Sequence, residues 1–378
     1  MKKLLSLLFL INGTILFAQK NYPYEPSEGN NSLNAYWYAV PTDSVEWQKV
    51  NRTTYFCSIV HAYGKVPEGD FTVKVKAYEK GDKFFDKNFD IKDGKSTDPN
   101  VKYLAANGYF RIESPTETGT RRADVIELGL ESAKGTFSKS IPCTYHTISG
   151  HFTDFDGKPF KGFIRVSSDD FPDFTGVWSD DNGKYSITLP ARDYNTFYAD
   201  DHTYGISTLE YWGWRMIVDR DETLDIRIGN GEVYNLHAWS SNGGHNTYFL
   251  YFRPMVLPKA LLPEEDYTSK QMIAGQIYEK LDIAPTLEEK DITVKLNGEK
   301  LSIISLQPVY ETGKDSNTEH FCMPAYLVQV ERPQWATGKK LTFEVSYDTF
   351  ITVKGEKIRV NSMAHCQLYA NISGLSEY

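Results

Sequence analysis

Apolar positions along this chain recur mostly at every second residue. DFTVKVKAYEK, ADVIELGLES, DITVKLNGEKLSII and KLTFEVSY alternate apolar and polar side chains between Gly, Asn, Asp and Pro. A period of two sends successive side chains to opposite faces, so these runs predict half-buried β-strands. Helical spacing is nearly absent; Ile273, Ile277 and Leu281 alone predict one short helix. Asn297-Gly298 separates two alternating runs and suits the positive φ angles of a type I′ hairpin turn.

These runs fall into three regions. TTYFCSIVHAYG, DFTVKVKAYEK and ADVIELGLES predict an N-terminal β-sandwich over 19–146. DITVKLNGEKLSII, MPAYLVQVE, KLTFEVSY and SMAHCQLYANI predict a C-terminal one over 231–378. The expected fold class is all-β: multidomain β-sandwiches, with immunoglobulin-like domains flanking a middle module at 147–230. A content of 25 tyrosines and 21 phenylalanines agrees with that class.

The middle module carries ISGHFTDFDGKPFKGFIRVSS and then GVWSDDNGKYSITLP. Through Gly150, Asp154, Gly157, Pro159, Gly162, Asp181, Gly183, Tyr185 and Leu189 it resembles the carboxypeptidase regulatory-like domain. That resemblance covers roughly 147–228 and implies a transthyretin-like β-sandwich in an accessory, non-catalytic role. Asp156-Gly157 and Asn182-Gly183 are tight-turn pairs, which fits short strands. No HxxE pair accompanies them, so no peptidase activity is implied.

Two hairpins follow from strand arithmetic. In EYWGWRMIVDRDE, Trp212, Trp214, Met216 and Val218 alternate onto one face. Across a five-residue loop, Val218, Met216 and Trp214 would face Leu224, Ile226 and Ile228 of LDIRI, which makes the tryptophans core. Arg215 would then sit opposite Arg227 with Asp225 in diagonal reach, a solvated charge ladder. In HAWSSNGGHNTYFLYFRP, strands 233–239 and 247–253 would pair Trp239 with Thr247, His237 with Phe249, Asn235 with Tyr251 and Val233 with Arg253. The other face would join Ala238, Leu236 and Tyr234 to Tyr248, Leu250 and Phe252.

Composition narrows the setting. MKKLLSLLFLINGTILFAQ has a lysine pair, an apolar run and a small residue at Ala18, which predicts a signal peptide over 1–18 and a secreted or periplasmic protein. Its removal takes two lysines and no acids from a net charge of −9, leaving −11. Such a chain is a poor nucleic-acid partner. No later segment predicts a transmembrane span. In an oxidising compartment Cys57, Cys143, Cys322 and Cys366 can pair in three ways, of which Cys57–Cys143 with Cys322–Cys366 is the favoured expectation.

Candidate chemistry gathers near the middle. Asn235, His237, Trp239, Tyr251 and Arg253 would share one hairpin face. Rings flanked by planar donors suit sugars, whose C–H faces stack while hydroxyls hydrogen-bond; packing against a neighbouring domain is the competing use of that face. FYADDHTYG offers Asp201, His202 and Tyr204 as acid, base and phenol, or as turn caps. The leading expectation is an exported glycan-binding accessory in polysaccharide utilisation, its partner a polysaccharide or oligosaccharide. The alternative is a polysaccharide-cleaving enzyme. As a lyase it would use Arg253 or Asn235 against a uronate and Tyr204 or His202 as base. As a hydrolase it would pair two of Asp200, Asp201, Asp219, Asp221 and Glu232. An adhesin or structural spacer needs no site. No GxSxG, phosphate-binding loop or dinucleotide motif occurs, and the eight histidines lack metal-ligand spacing, so neither a cofactor nor a metal is expected; a folded gathering of His202, His237 and His245 is the alternative.

Overall fold

The alternating runs are strands. The computed structural model describes residues 33–39, 58–106, 108–116, 121–168, 171–240, 246–314, 320–336 and 340–369. The expected signal segment, Cys57 and His245 lie outside them. Among the described residues the protein is all-β, built of packed sheets with only short helical turns. No helix there is long and apolar enough to cross a membrane.

The N-terminal sandwich sets one sheet, Asn34–Ala39, Ser58–Lys65, Tyr109–Thr116 and Lys102–Ala106, against a second. The second runs Lys95–Ser96, Asp82–Lys92, Phe71–Glu79, Val125–Ser132 and Gly135–Pro142. Phe71, Val73, Val75 and Ala77 point into their shared core while Lys74 and Lys76 pair outward with Glu131 and Glu127. This is the period-two pattern made solid.

In the middle module, Tyr145–Asp154 pairs antiparallel with Lys184–Pro190 and parallel with Glu222–Thr223 and Ile226–Ile228. This layer packs on Phe171–Trp178, Phe163–Ser168, Arg192–Asp200 and Tyr211–Val218 around Phe152, Ile164, Phe197 and Ile226. The Asp154 carboxylate accepts the Asp156 and Lys158 N–H groups, and Asp180 accepts those of Asn182 and Lys184. Gly157 and Gly183 take φ of 83° and 73° in these turns, a conformation that L side chains rarely adopt.

The hairpin expected between 211–218 and 224–228 does not form. Tyr211–Val218 pairs instead with Arg192–Asp200, and Ile226–Ile228 crosses to the opposite sheet. Met216, Val218, Leu224, Ile226 and Ile228 do share one core, but as facing layers rather than hairpin neighbours. Alternation also breaks at Arg215, whose φ is 52°. Tyr211, Met216 and Val218 point into the middle core, while Trp212 and Trp214 stack on each other beside Tyr234. Arg227 pairs with Glu344 and Asp225 binds the His151 N–H, so no charge ladder with Arg215 exists.

Tyr211–Val218 has a second neighbour far along the chain. It pairs parallel with Glu356–Tyr369, matching Trp212 with Ala364 and Trp214 with Cys366. The sheet therefore runs on without interruption through Lys340–Val353, Ile292–Leu296 and Glu299–Lys300, eight strands in all. The seam is polar and buried. The Tyr211 hydroxyl meets His365 Nδ1 at 2.8 Å, the Ile217 N–H donates to Gln367 at 2.7 Å, and Lys340 donates to Glu222 at 2.7 Å.

Against this sheet lies Gly231–Ser240, Thr247–Val256, His320–Glu331, Gln276–Leu281 and Thr268–Ile273, with Ile303–Lys314 also paired to His320–Glu331. Leu250, Val328, Phe343 and Val345 fill the space between. Asn297 and Gly298 turn at φ of 48° and 87°, as a type I′ hairpin requires. The helix expected around Ile273, Ile277 and Leu281 is a β-hairpin, because Ala274 and Gly275 turn at φ of 50° and 80°. The helical turns here are Leu257–Ala260, Glu264–Tyr267 and a 3-10 turn at Glu289–Asp291.

Cys322 and Cys366 do not form the expected disulfide; both are buried free thiols. Cys366 sits beside Phe343, whose ring meets Tyr248, the partner of Val330. From Val330, Cys322 lies about 26 Å along its strand at about 3.3 Å per residue, far beyond disulfide reach. Cys143 is also free, and the Cys57–Cys143 pairing lies outside the described residues. Alkylation of denatured, unreduced protein is expected to label Cys322 and Cys366. Peptide mapping that returned them linked to each other would overturn this.

Candidate functional site

Gly231–Ser240 and Thr247–Val256 form the expected hairpin in a different register. Trp239 opposes Phe249 and His237 opposes Tyr251, two residues from the anticipated partners, so face parity survives in this half. A bulge then intervenes, with Asn235 at φ 56°, and Tyr234 opposes Arg253. The extra residue exchanges the faces of Val233 and Tyr234. Val233, Leu236, Leu250 and Phe252 line the core, whereas Tyr234 turns outward to join Arg253.

The outward face divides into two environments. At its open end Trp239 is 43% exposed and stacks on Phe249 at 5.9 Å and 20°. His237 Nε2 meets Asn235 Oδ1 at 2.7 Å, and the Tyr251 hydroxyl donates to Glu311. Burial, then the charge of Arg215, holds the His237 ring below its ordinary pKa. This end combines a flat aromatic surface with polar groups at its border.

At the covered end, Trp212 and Trp214 close over the sheet edge, both edge-on to Tyr234 at 5.4 and 5.0 Å. Arg253 is 4% exposed, lies 4.6 Å over the Tyr234 ring and donates to Glu311 at 2.8 Å. Its charge is committed inside the protein. One half of this face is thus packed against Trp212 and Trp214, and the other is open.

Beneath the tryptophans lies a pair of carboxyls. Glu210 precedes the Tyr211–Val218 strand and Glu232 lies on Gly231–Ser240; both are buried. The Tyr204 phenol and the Trp212 indole both favour the charged form of Glu210. Burial, aided by the charge of Asp200, pushes Glu210 up to about 7. Burial also holds Glu232 well above its ordinary value, Glu210 adds to it, and Arg253 opposes both. Two carboxyls in one desolvated place hold protons to higher pH than ordinary carboxyls do. Both Glu232 oxygens, Glu210 Oε2, the Trp212 and Trp214 indole N–H groups and two Arg253 nitrogens have no hydrogen-bond partner among the described residues.

Other candidates are dispersed. Asp201 is buried and accepts from Thr203 and Thr208, holding its own turn. The His202 side chain is 87% exposed. Burial pushes the Tyr204 phenol far up, away from any role as a base near neutral pH. Asp200 pairs with Arg165 and Tyr198. Asp219 pairs with Arg220 and Lys340 at the far end of the Tyr211–Val218 strand, and Asp221 accepts the Thr147 N–H. Of the carboxyls named for hydrolysis, Glu232 and Asp200 both act on the buried Glu210, and Asp200 is itself held by Arg165. No three His, Cys, Asp or Glu side chains form a metal-holding group among the described residues.

The sequence reading missed Glu210, Arg215, Phe249 and Glu311. Glu210 opened the conspicuous aromatic run, but pairing it with Glu232 required the path between sheets. No family model matches the chain, and no curated protein matches it.

Proposed function

We propose that the protein is an exported glycan-binding accessory of polysaccharide utilisation, its middle segment a carboxypeptidase regulatory-like module. One observation carries this: Trp239, exposed and stacked in parallel on Phe249 beside Tyr251, His237 and Asn235. An open aromatic surface bordered by planar polar groups matches the alternating C–H faces and hydroxyls of a sugar chain. Trp239→Ala should weaken glycan binding by about 1 kcal/mol or more. Because the ring is not core, the melting temperature should stay nearly unchanged. Affinity electrophoresis against a polysaccharide panel, run beside thermal melts, checks both. A large fall in melting temperature with retention intact would make this surface structural.

The buried Glu210–Glu232 pair supports the second reading, a polysaccharide lyase or glycoside hydrolase. Its burial under Trp212 counts against contact with a polymer, so binding is preferred. Scoring the same panel for new reducing ends and for unsaturated uronates separates the two.

A further inference from the structure

Arg215 is an exposed cation in a costly position. It has no ion pair among the described residues, while Arg227, Arg253 and Arg220 nearby each hold a carboxylate. Its φ of 52° lies in the left-handed region, which disfavours a non-glycine residue. Asn235 adopts the same conformation at φ 56° on the neighbouring hairpin. Arg215 follows Trp214, which packs edge-on against Tyr234 of that hairpin. The guanidinium charge reaches the His237 ring, two residues from Trp239. An exposed guanidinium with no ion pair among the described residues thus lies on the strand packed beside this hairpin, within electrostatic reach of His237. Arg253, the cation that strand alternation had placed there, is turned inward onto Glu311.

We propose that Arg215 forms an anion subsite at the border of the Trp239–Phe249 surface and selects acidic glycans, through a uronate carboxylate or a sulfate ester. This rests on the glycan-binding reading and names its substrate class. A guanidinium fork binds either anion through two parallel charge-assisted hydrogen bonds. With a net charge of −9, the chain as a whole repels polyanions, so retention must come from a local contact. The left-handed backbone offers a clean variant. Glycine suits φ of 52°, so Arg215→Gly should hold or raise the melting temperature while deleting the cation.

The test measures binding of wild type, Arg215→Gly, Arg215→Lys and Trp239→Ala to polygalacturonate, methyl-esterified polygalacturonate, dextran sulfate and dextran. Wild type should prefer the charged polymers about tenfold over their neutral counterparts, the worth of one charge-assisted contact. Arg215→Gly should lose that preference yet keep residual neutral binding. Arg215→Lys should retain part of it, and Trp239→Ala should weaken every polymer bound. Preference for polygalacturonate identifies the anion as carboxylate, and preference for dextran sulfate identifies it as sulfate. Equal binding of charged and neutral polymers by wild type would overturn the anion subsite but leave glycan binding standing. The same holds if Arg215→Gly keeps the preference. Binding to no polymer would overturn both.

Discussion

Trp212→Ala is expected to destabilise the protein by about 3–5 kcal/mol, the range for truncating a buried large aromatic. The ring is 7% exposed and touches partners on three sides: Trp214 stacked at 4.8 Å, Tyr198 edge-on at 4.8 Å and Tyr234 at 5.4 Å. Tyr198 belongs to the middle module and Tyr234 to the C-terminal sandwich, so one truncation loosens both. The vacated volume would lie next to Glu210 and Glu232 and admit water to them. Trp212→Phe keeps part of the packing and should recover part of the loss. Urea unfolding at constant slope measures it. A loss below about 1 kcal/mol would show that the ring is not part of the core at this junction.

Stability should fall as pH rises from about 5 to 8. In the unfolded chain Glu210 titrates near its ordinary value of 4.5, whereas in the folded protein burial lifts it to about 7. Between those values the native state keeps a proton that the unfolded state has released. The contribution is therefore fully present below about 4.5 and is lost as pH climbs through 7. For Glu210 alone the loss is about 3 kcal/mol, taking 1.36 kcal/mol per pH unit of separation. Glu232, raised by burial and by Glu210, extends the loss in the same direction. Glu344 works oppositely. Despite burial, hydrogen bonding and charge from His365, and then Lys295, hold it at about 2, so its contribution disappears on acidification below 4.5. Glu232→Gln should flatten the alkaline limb of a melting-temperature profile and leave the acid limb in place. A variant profile parallel to the wild type would refute a carboxyl pair at this junction.

Much of the architecture was legible because burial writes a period of two into each strand. Phe71, Val73, Val75 and Ala77, or Ile292, Val294 and Leu296, announce both strand and inward face. Asn297-Gly298 announced its turn equally well. The failures share a cause. Arg215 carries no compositional mark of a left-handed backbone and Asn235 only the general tolerance of Asn for it, yet the buried face changes at each. Ile273 and Ile277 fit a helical spacing until Ala274-Gly275 is recognised as a turn. The pairing of Trp212 with Ala364 spans too much sequence for any local pattern to register. The candidate site depended on all three kinds of information. Trp239, His237 and Tyr251 could be placed on one face by alternation alone. Arg215 and the Glu210–Glu232 pair could not.

The unbroken eight-stranded sheet sets where this chain can be severed. A cut after residue 230 respects the sequence boundary but tears the ladder between Tyr211–Val218 and Glu356–Tyr369. Each fragment would then carry a raw strand edge flanked by apolar rings, a template for joining to other copies. The middle segment and the C-terminal sandwich therefore travel together, and a graft of the middle segment alone would inherit an open seam.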